Sequence, residues 1–229
     1  MSCPLHRVRG GRLSLLTVLL STLGICGTSF SWGQEAANSG SAQDQVSLRV
    51  GDAAPPLQVD HWLGGDAVES FSRDKVYVVE FWATWCGPCI KSMPHLNELA
   101  ERYADEGLVV IAITKADEAN TLDAVKEFVA GPGQPYRFRY AVCDGDATYQ
   151  AYMQAAGQRG IPCSVVIDRE GKVAYYGLPH DLDYVLDRVI KGQWRGAEDY
   201  AELRAMGHAT SRSRNWKLLN LALQDSGNA

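Results

Sequence analysis

The sequence predicts an α/β domain, and three stretches carry that expectation. Lys75 to Ala83 is an apolar run rich in β-branched and aromatic residues, as a buried strand requires. It passes through Cys86-Gly87-Pro88-Cys89 into residues with helical spacing. Leu108 to Thr114 is a second apolar run without alternation, the pattern of a parallel strand covered on both faces. Ser164–Asp168 and Lys172–Tyr176 flank Arg169-Glu170-Gly171, a hairpin turn. Strands alternating with helices and closed by a hairpin define the class.

Taken in order, residues 1–33 stand outside the fold. His6, Arg7, Arg9 and Arg12 form a basic region, Leu13 to Ile25 is an apolar run, and Ser31-Trp32-Gly33 offers a cleavage site before Gln34. This is the pattern of a secretory signal peptide. A retained membrane anchor is the competing reading, although the run is shorter than the roughly 20 residues of a spanning helix. Leu23-Gly24-Ile25-Cys26 imitates a lipoprotein site, but Ile25 is too large for the position before the cysteine. Export implies an oxidising compartment, here the periplasm or cell envelope.

Residues 34–47 are polar, small and rich in Ser and Ala, which predicts a flexible linker. The domain is expected over residues 48–192. Pro55 and Pro56 forbid a helix and favour an extended edge segment. Leu57–Asp60 and Ala67–Ser70 flank the turn signal Leu63-Gly64-Gly65-Asp66, predicting an N-terminal β-hairpin. After the central strand, Cys89–Glu106 has helical spacing, with Pro94 expected to kink it and Gly107 to stop it. Asn120–Val129 is a second helix, capped by Asn120 or Thr121. Gly131 to Pro135 is a loop, Tyr140–Cys143 a short strand, Ala147–Ala156 a helix and Asp181–Lys191 the closing helix. Residues 193–229 form a C-terminal extension, with helical stretches at Tyr200–Met206 and Trp216–Leu223.

Composition excludes several classes. The net charge of −5 gives no reason to expect nucleic-acid binding. Of the 6 cysteines, Cys3 and Cys26 leave with the leader, and Cys86, Cys89, Cys143 and Cys163 remain. The latter two lack the second C-x-x-C spacing of a four-cysteine zinc site. Haem attachment needs a histidine where Ile90 stands. No metal and no organic cofactor are expected.

Strand, C-x-x-C and helix in succession is the context of a redox site. The first N–H groups of a helix lack intrahelical partners and carry partial positive charge. A thiolate at Cys86 is stabilised there, so its pKa falls below that of a free thiol. Pro88 suits the first turn, Gly87 permits a tight approach, and the spacing lets Cys89 reach Cys86. Cys86 is then the exposed nucleophile and Cys89 the more buried resolving thiol. Glu80 interrupts the apolar strand, and a buried carboxylate has a raised pKa.

Phe81-Trp82-Ala83-Thr84-Trp85-Cys86-Gly87-Pro88-Cys89 resembles the active site of the thioredoxin superfamily, most closely the TlpA/ResA group of secreted thiol–disulfide oxidoreductases. The resemblance runs from about Val50 to Gly192 and includes the entry Val50-Gly51-Asp52-Ala53-Ala54-Pro55-Pro56-Leu57. It implies a thioredoxin-like fold with a mixed central β-sheet flanked by helices. It implies a cis-proline at Pro162, placing the Ile161 backbone beside the disulfide to pair with an extended substrate. It makes Glu80 the proton relay for Cys89, and Trp85, Gly87, Pro88, Ile161 and Pro162 the substrate-binding rim. The implied partners are protein disulfides and a membrane thiol–disulfide electron donor. Cys163, next to Pro162, is expected near the pair, either as a third thiol or as a small buried hydrophobe. A Cys143–Cys163 disulfide would need a different sheet arrangement. His95 and His180 are read as surface or capping groups.

Two rival functions are weighed. A thiol peroxidase fits the Pro55-Pro56 entry, but a peroxidatic cysteine sits in a P-x-x-x-[ST]-x-x-C context that this chain lacks. A binding module with a merely structural disulfide is opposed by the placement of the pair at a helix start, beside Trp85 and Pro162.

Overall fold

Six buried residues in succession make β2 (Val76–Phe81) the centre of the sheet. In the computed structural model, which describes residues 47–210, β2 lies between a parallel β3 (Leu108–Lys115) and an antiparallel β5 (Cys163–Ile167). The sheet is six-stranded in the order β1-β4-β3-β2-β5-β6, with β1 at His61–Gly64, β4 at Phe138–Cys143 and β6 at Val173–Gly177. It is mixed, as expected. The signal peptide, all of the linker but Ser47, and the stretch Trp216–Leu223 lie outside the described residues.

Strand alternation divides the interior into two cores. Val76, Val78 and Trp82 face α1 (Gly87–Arg102), α2 (Leu122–Ala130) and α4 (Leu182–Ile190), meeting Met93, Leu96, Val125 and Leu186. Tyr77, Val79 and Phe81 face the other way, toward α3 (Ala147–Tyr149), which continues as a π-helical turn over Gln150–Gln154. Tyr152 and Met153 of that turn fill the second core.

The N-terminal hairpin is a correction. Neither Leu57–Asp60 nor Ala67–Ser70 forms a strand; the intervening His61–Gly64 pairs antiparallel with β4 instead. An isolated two-stranded hairpin is marginal in water, whereas the edge of a formed sheet offers a ready partner. The preceding chain crosses the second core. Gly51 N–H donates to the Val173 carbonyl (2.7 Å), Gln58 N–H to Thr148 Oγ1 (2.9 Å), and Asp60 N–H to the Val142 carbonyl (3.0 Å).

Helix boundaries follow their caps. α1 begins at Gly87, because Cys86 takes the N-cap and Pro88 needs no N–H in the first turn. Pro94 lies inside it. Thr121, not Asn120, caps α2, its hydroxyl accepting the Ala124 N–H at 3.2 Å. α5 (Ala197–Thr210) is longer than expected and covers the β6 edge. Trp194 Nε1 donates to the Ala174 carbonyl (3.0 Å) and the Tyr200 hydroxyl to the Tyr176 carbonyl (3.1 Å), so side chains occupy backbone acceptors of an edge strand. Gly177, the last residue of β6, leaves no room for a side chain, since a Cβ there would sit 2.2 Å from the Tyr175 hydroxyl.

Candidate functional site

β2 leaves the sheet at Phe81, and five residues later Cys86 caps the start of α1. The turn forms locally: Cys86 N–H donates to the Ala83 carbonyl (3.0 Å) and Ile90 N–H to the Cys86 carbonyl (3.1 Å). Cys86 and Cys89 form a disulfide with Cα atoms 5.3 Å apart. Cys86 Sγ also accepts the Cys89 N–H at 3.3 Å, so the sulfur stands at an unfilled helix start. Cys86, expected to be exposed, is buried at 4 % exposure in the disulfide, and Cys89 at 0 %, so only their order agrees with an outer and an inner sulfur. Gly87, Pro88 and Trp85 are exposed around them. A Cβ on Gly87 would meet nothing in the chain, so the space it leaves opens outward.

The Ile161–Pro162 peptide is cis. Phe81 pairs with Cys163, so Pro162 stands one residue further along, beside the connection that leads to Cys86. Ile161 is half-buried and packs against both cores. The structure therefore brings Trp85, Cys86, Gly87, Pro88, Cys89, Ile161 and Pro162 to one end of adjacent strands.

Glu80 is 1 % exposed and pairs with Ser164 across β2 and β5. By strand alternation both side chains share the face of Val78 and Val166, in the core that contains Cys86 and Cys89. The Ser164 hydroxyl donates to Glu80 Oε2, while Oε1 has no hydrogen-bond partner among the described residues. Burial pushes the carboxyl up to about 8, and the Ser164 bond offsets that only in part.

Cys163 points the other way, into the second core with Phe81 and Tyr152. Burial, and next the Glu80 charge, push its thiol up to about 12. Cys143 and Cys163 are both free. Two strands separate β4 from β5, a span of roughly 14 Å that no disulfide bridges. His95 joins α1 to α4 through Asp183 (2.6 Å), and no group of metal-ligating side chains converges among the described residues. Trp82 is fully buried against Phe128 and Tyr140, at 4.8 and 6.0 Å between ring centres.

Two features escaped the sequence. Leu178 is 48 % exposed and Trp85 59 %, and they are the exposed large apolar residues among those described. Gly177 pairs with Ser164, so Leu178 follows β6 at the end of the sheet where Pro162 precedes β5. Asn120, read from sequence as a possible cap, instead lies buried under the Trp82–Thr84 connection. A buried asparagine carries no local pattern by which to find it.

Comparison with known proteins agrees with this geometry. Residues 49–189 match the family model described as Redoxin. Protein FixW of Rhizobium leguminosarum is 31 % identical over 157 residues, covering 66 % of this chain and 70 % of that protein. The thiol-disulfide oxidoreductase ResA of Bacillus thuringiensis is 35 % identical over 130 residues, covering 57 % and 70 %. A crystal structure of a putative thiol:disulfide interchange protein DsbE from Chlorobium tepidum aligns with TM-score 0.50 at 28 % identity, over 63 % of this chain and 99 % of that one. With its disulfide at the start of α1 and a cis-proline just before the neighbouring strand β5, the chain belongs to the Redoxin family, among the TlpA/ResA-like thiol–disulfide oxidoreductases of the thioredoxin superfamily.

Proposed function

We propose that the chain is an exported reductase of protein disulfides. The observation that carries this reading is the Cys86–Cys89 disulfide at the start of α1, level with cis-Pro162 and rimmed by exposed Trp85. The basic and apolar leader supports export, with the signal peptide cleaved or retained as an anchor. Among the described residues no helix is long and apolar enough to cross a membrane.

In the reduced state the helix start stabilises a Cys86 thiolate. That thiolate attacks one sulfur of a substrate disulfide. A bond forms from Cys86 Sγ to that sulfur, the substrate S–S bond breaks, and the other substrate sulfur leaves as a thiolate. Cys89 then loses its proton and attacks Cys86 Sγ. The intramolecular disulfide forms, and the first substrate sulfur departs with its electron pair. Two electrons pass to the substrate, and the disulfide is itself the redox group. Glu80, on the same face as Cys89, takes the Cys89 proton through its unpartnered Oε1. The open backbone at Ile161 pairs with an extended substrate segment, and Trp85, Gly87, Pro88 and Pro162 line its path. A membrane thiol–disulfide carrier returns the two electrons.

The test is the equilibrium reduction potential of the pair with insulin reduction alongside. A value near roughly −250 mV or lower with insulin turnover supports a reductase. A value near roughly −120 mV points to an oxidant and overturns the proposed direction. Consumption of hydrogen peroxide without insulin turnover would favour a peroxidase.

A further inference from the structure

Trp82, Ala83 and Thr84 connect β2 to the residues that carry the disulfide, and a buried polar cluster holds that connection. Asn120 is 1 % exposed. Its Oδ1 accepts the Thr84 N–H at 2.9 Å and the Thr84 hydroxyl at 2.7 Å. Its Nδ2 donates to Thr114 Oγ1 at 2.9 Å and to the Lys115 carbonyl at 2.7 Å. Thr114, also 1 % exposed, donates its hydroxyl to the Trp82 carbonyl at 2.6 Å. The Thr84 end of the connection is thereby tied to β3 through the Asn120 carboxamide, and the Trp82 end directly by the Thr114 hydroxyl. The task demands that residue type: one atom accepts twice and the other donates twice. A carboxylate supplies the acceptor and not the donors, and an aliphatic residue supplies neither.

We propose that Asn120 is a positioning residue for the redox pair: the Thr84–Asn120–Thr114 clamp holds Cys86 within reach of Cys89 when no disulfide joins them. The inference rests on Cys86 and Cys89 being the reacting couple. The clamp is formed in the oxidised protein, so closing the S–S bond costs none of its hydrogen bonds. In the dithiol and in the mixed disulfide only the chain fixes Cys86. There the clamp raises the effective concentration of Cys89 at Cys86 Sγ. The step it serves forms the Cys86–Cys89 bond, breaks the bond from Cys86 to the substrate sulfur, and releases the substrate thiolate with its electron pair. A clamped loop favours closure, which makes the dithiol a stronger reductant and shortens the life of the mixed disulfide.

A merely structural role would weaken both redox states equally and leave the potential where it was, so the potential discriminates. The full chain and its Asn120→Ala, Thr84→Val and Thr84→Ser variants are equilibrated with a dithiothreitol redox buffer. Each reduced protein is then mixed with an aryl disulfide whose thiolate is coloured. The first thiolate released reports attack by Cys86, and the second reports resolution by Cys89. Asn120→Ala is expected to lower the equilibrium constant for disulfide formation about threefold to tenfold, which is about 14 to 30 mV for a two-electron couple. It slows the second release by a similar factor and the first by less. Thr84→Val, which keeps the backbone bond, shows a smaller shift in the same direction, and Thr84→Ser behaves as the parent does. If Asn120→Ala fails to fold, Thr84→Val against Thr84→Ser decides alone. Folded variants with unchanged equilibrium constant and unchanged second release overturn the proposal. A parent protein whose release survives Cys86→Ser overturns the underlying assignment of the pair instead.

Discussion

Exchanging Glu80 for glutamine removes one titratable group from the interior while keeping its shape and its Ser164 partner. Burial raises the Glu80 carboxyl from 4.5 to about 8 in the folded protein, while the unfolded chain titrates near the ordinary value. The folded value is the higher one. The contribution of the bound proton to stability is therefore complete below about pH 4.5, falls as pH rises, and is lost by about pH 8. Each pH unit inside that window weakens the fold by about 1.4 kcal/mol. Relative to Glu80→Gln, the parent should then be equal near pH 4, weaker by about 3 kcal/mol at pH 7, and weaker by about 5 kcal/mol at pH 9. Urea unfolding of both oxidised proteins at several pH values measures this, because every other titration cancels in the difference. Parallel stability curves between pH 5 and 8 would refute the reasoning. They would mean that Glu80 ionises normally inside the fold. The same carboxyl links stability to chemistry. At pH 7 roughly nine-tenths of it is protonated, so under the proposed relay its capacity to accept the Cys89 proton grows toward pH 8. Second-thiolate release should rise with pH over that range in the parent and lose the dependence in Glu80→Gln.

Three further outcomes follow from other parts of the molecule. Cys89→Ser leaves the outer thiol without its resolving partner, so a covalent adduct with a protein disulfide should persist on non-reducing gels until dithiothreitol is added; Cys86→Ser should give none. Leu178→Ser should raise KM for a protein disulfide by roughly threefold to tenfold. It should leave both the reduction potential and turnover of a small aryl disulfide unchanged, and equal effects on large and small substrates would argue against an apolar contact. Trp194→Phe removes the Nε1 donor from the Ala174 carbonyl and should lower stability by about 1 kcal/mol in urea unfolding, without changing activity.

Legibility in the sequence followed the reach of each interaction. β2, α1 and the closing hairpin were readable because their signals are local: a largely apolar run, helical spacing with Pro88 in the first turn, and a turn at Gly171. The cis peptide before Pro162 was readable only through resemblance. The hairpin over Leu57–Ser70 failed because its turn signal was genuine and its partner was not: Gly65 does adopt a positive φ of 71°, but the strand before it pairs with β4. Asn120 failed for a related reason. Its partners Thr84 and Thr114 come together only when β3 lies beside β2, and a lone asparagine before a helix is locally indistinguishable from a cap. Leu178 drew no notice because its position beside Pro162 exists only through the β5–β6 register.

Cys163 shows how far register outranks sequence proximity in deciding chemistry. It adjoins Pro162 and is therefore a neighbour of the site along the chain. Yet β5 alternates, and Ser164 takes the face shared with Glu80, Cys86 and Cys89, while Cys163 takes the face of Tyr152 and Met153. A one-residue slip of β5 against β2 would exchange the two. It would place a thiol against the Glu80 carboxyl and a hydroxyl in an apolar core, stranding one group and misdirecting the other. The packed second core, with Phe81 against Tyr149 at 5.0 Å and Tyr152 at 6.1 Å, opposes that slip. The same packing that stabilises the sheet thus keeps the Cys163 thiol on the face away from Cys86 and Cys89.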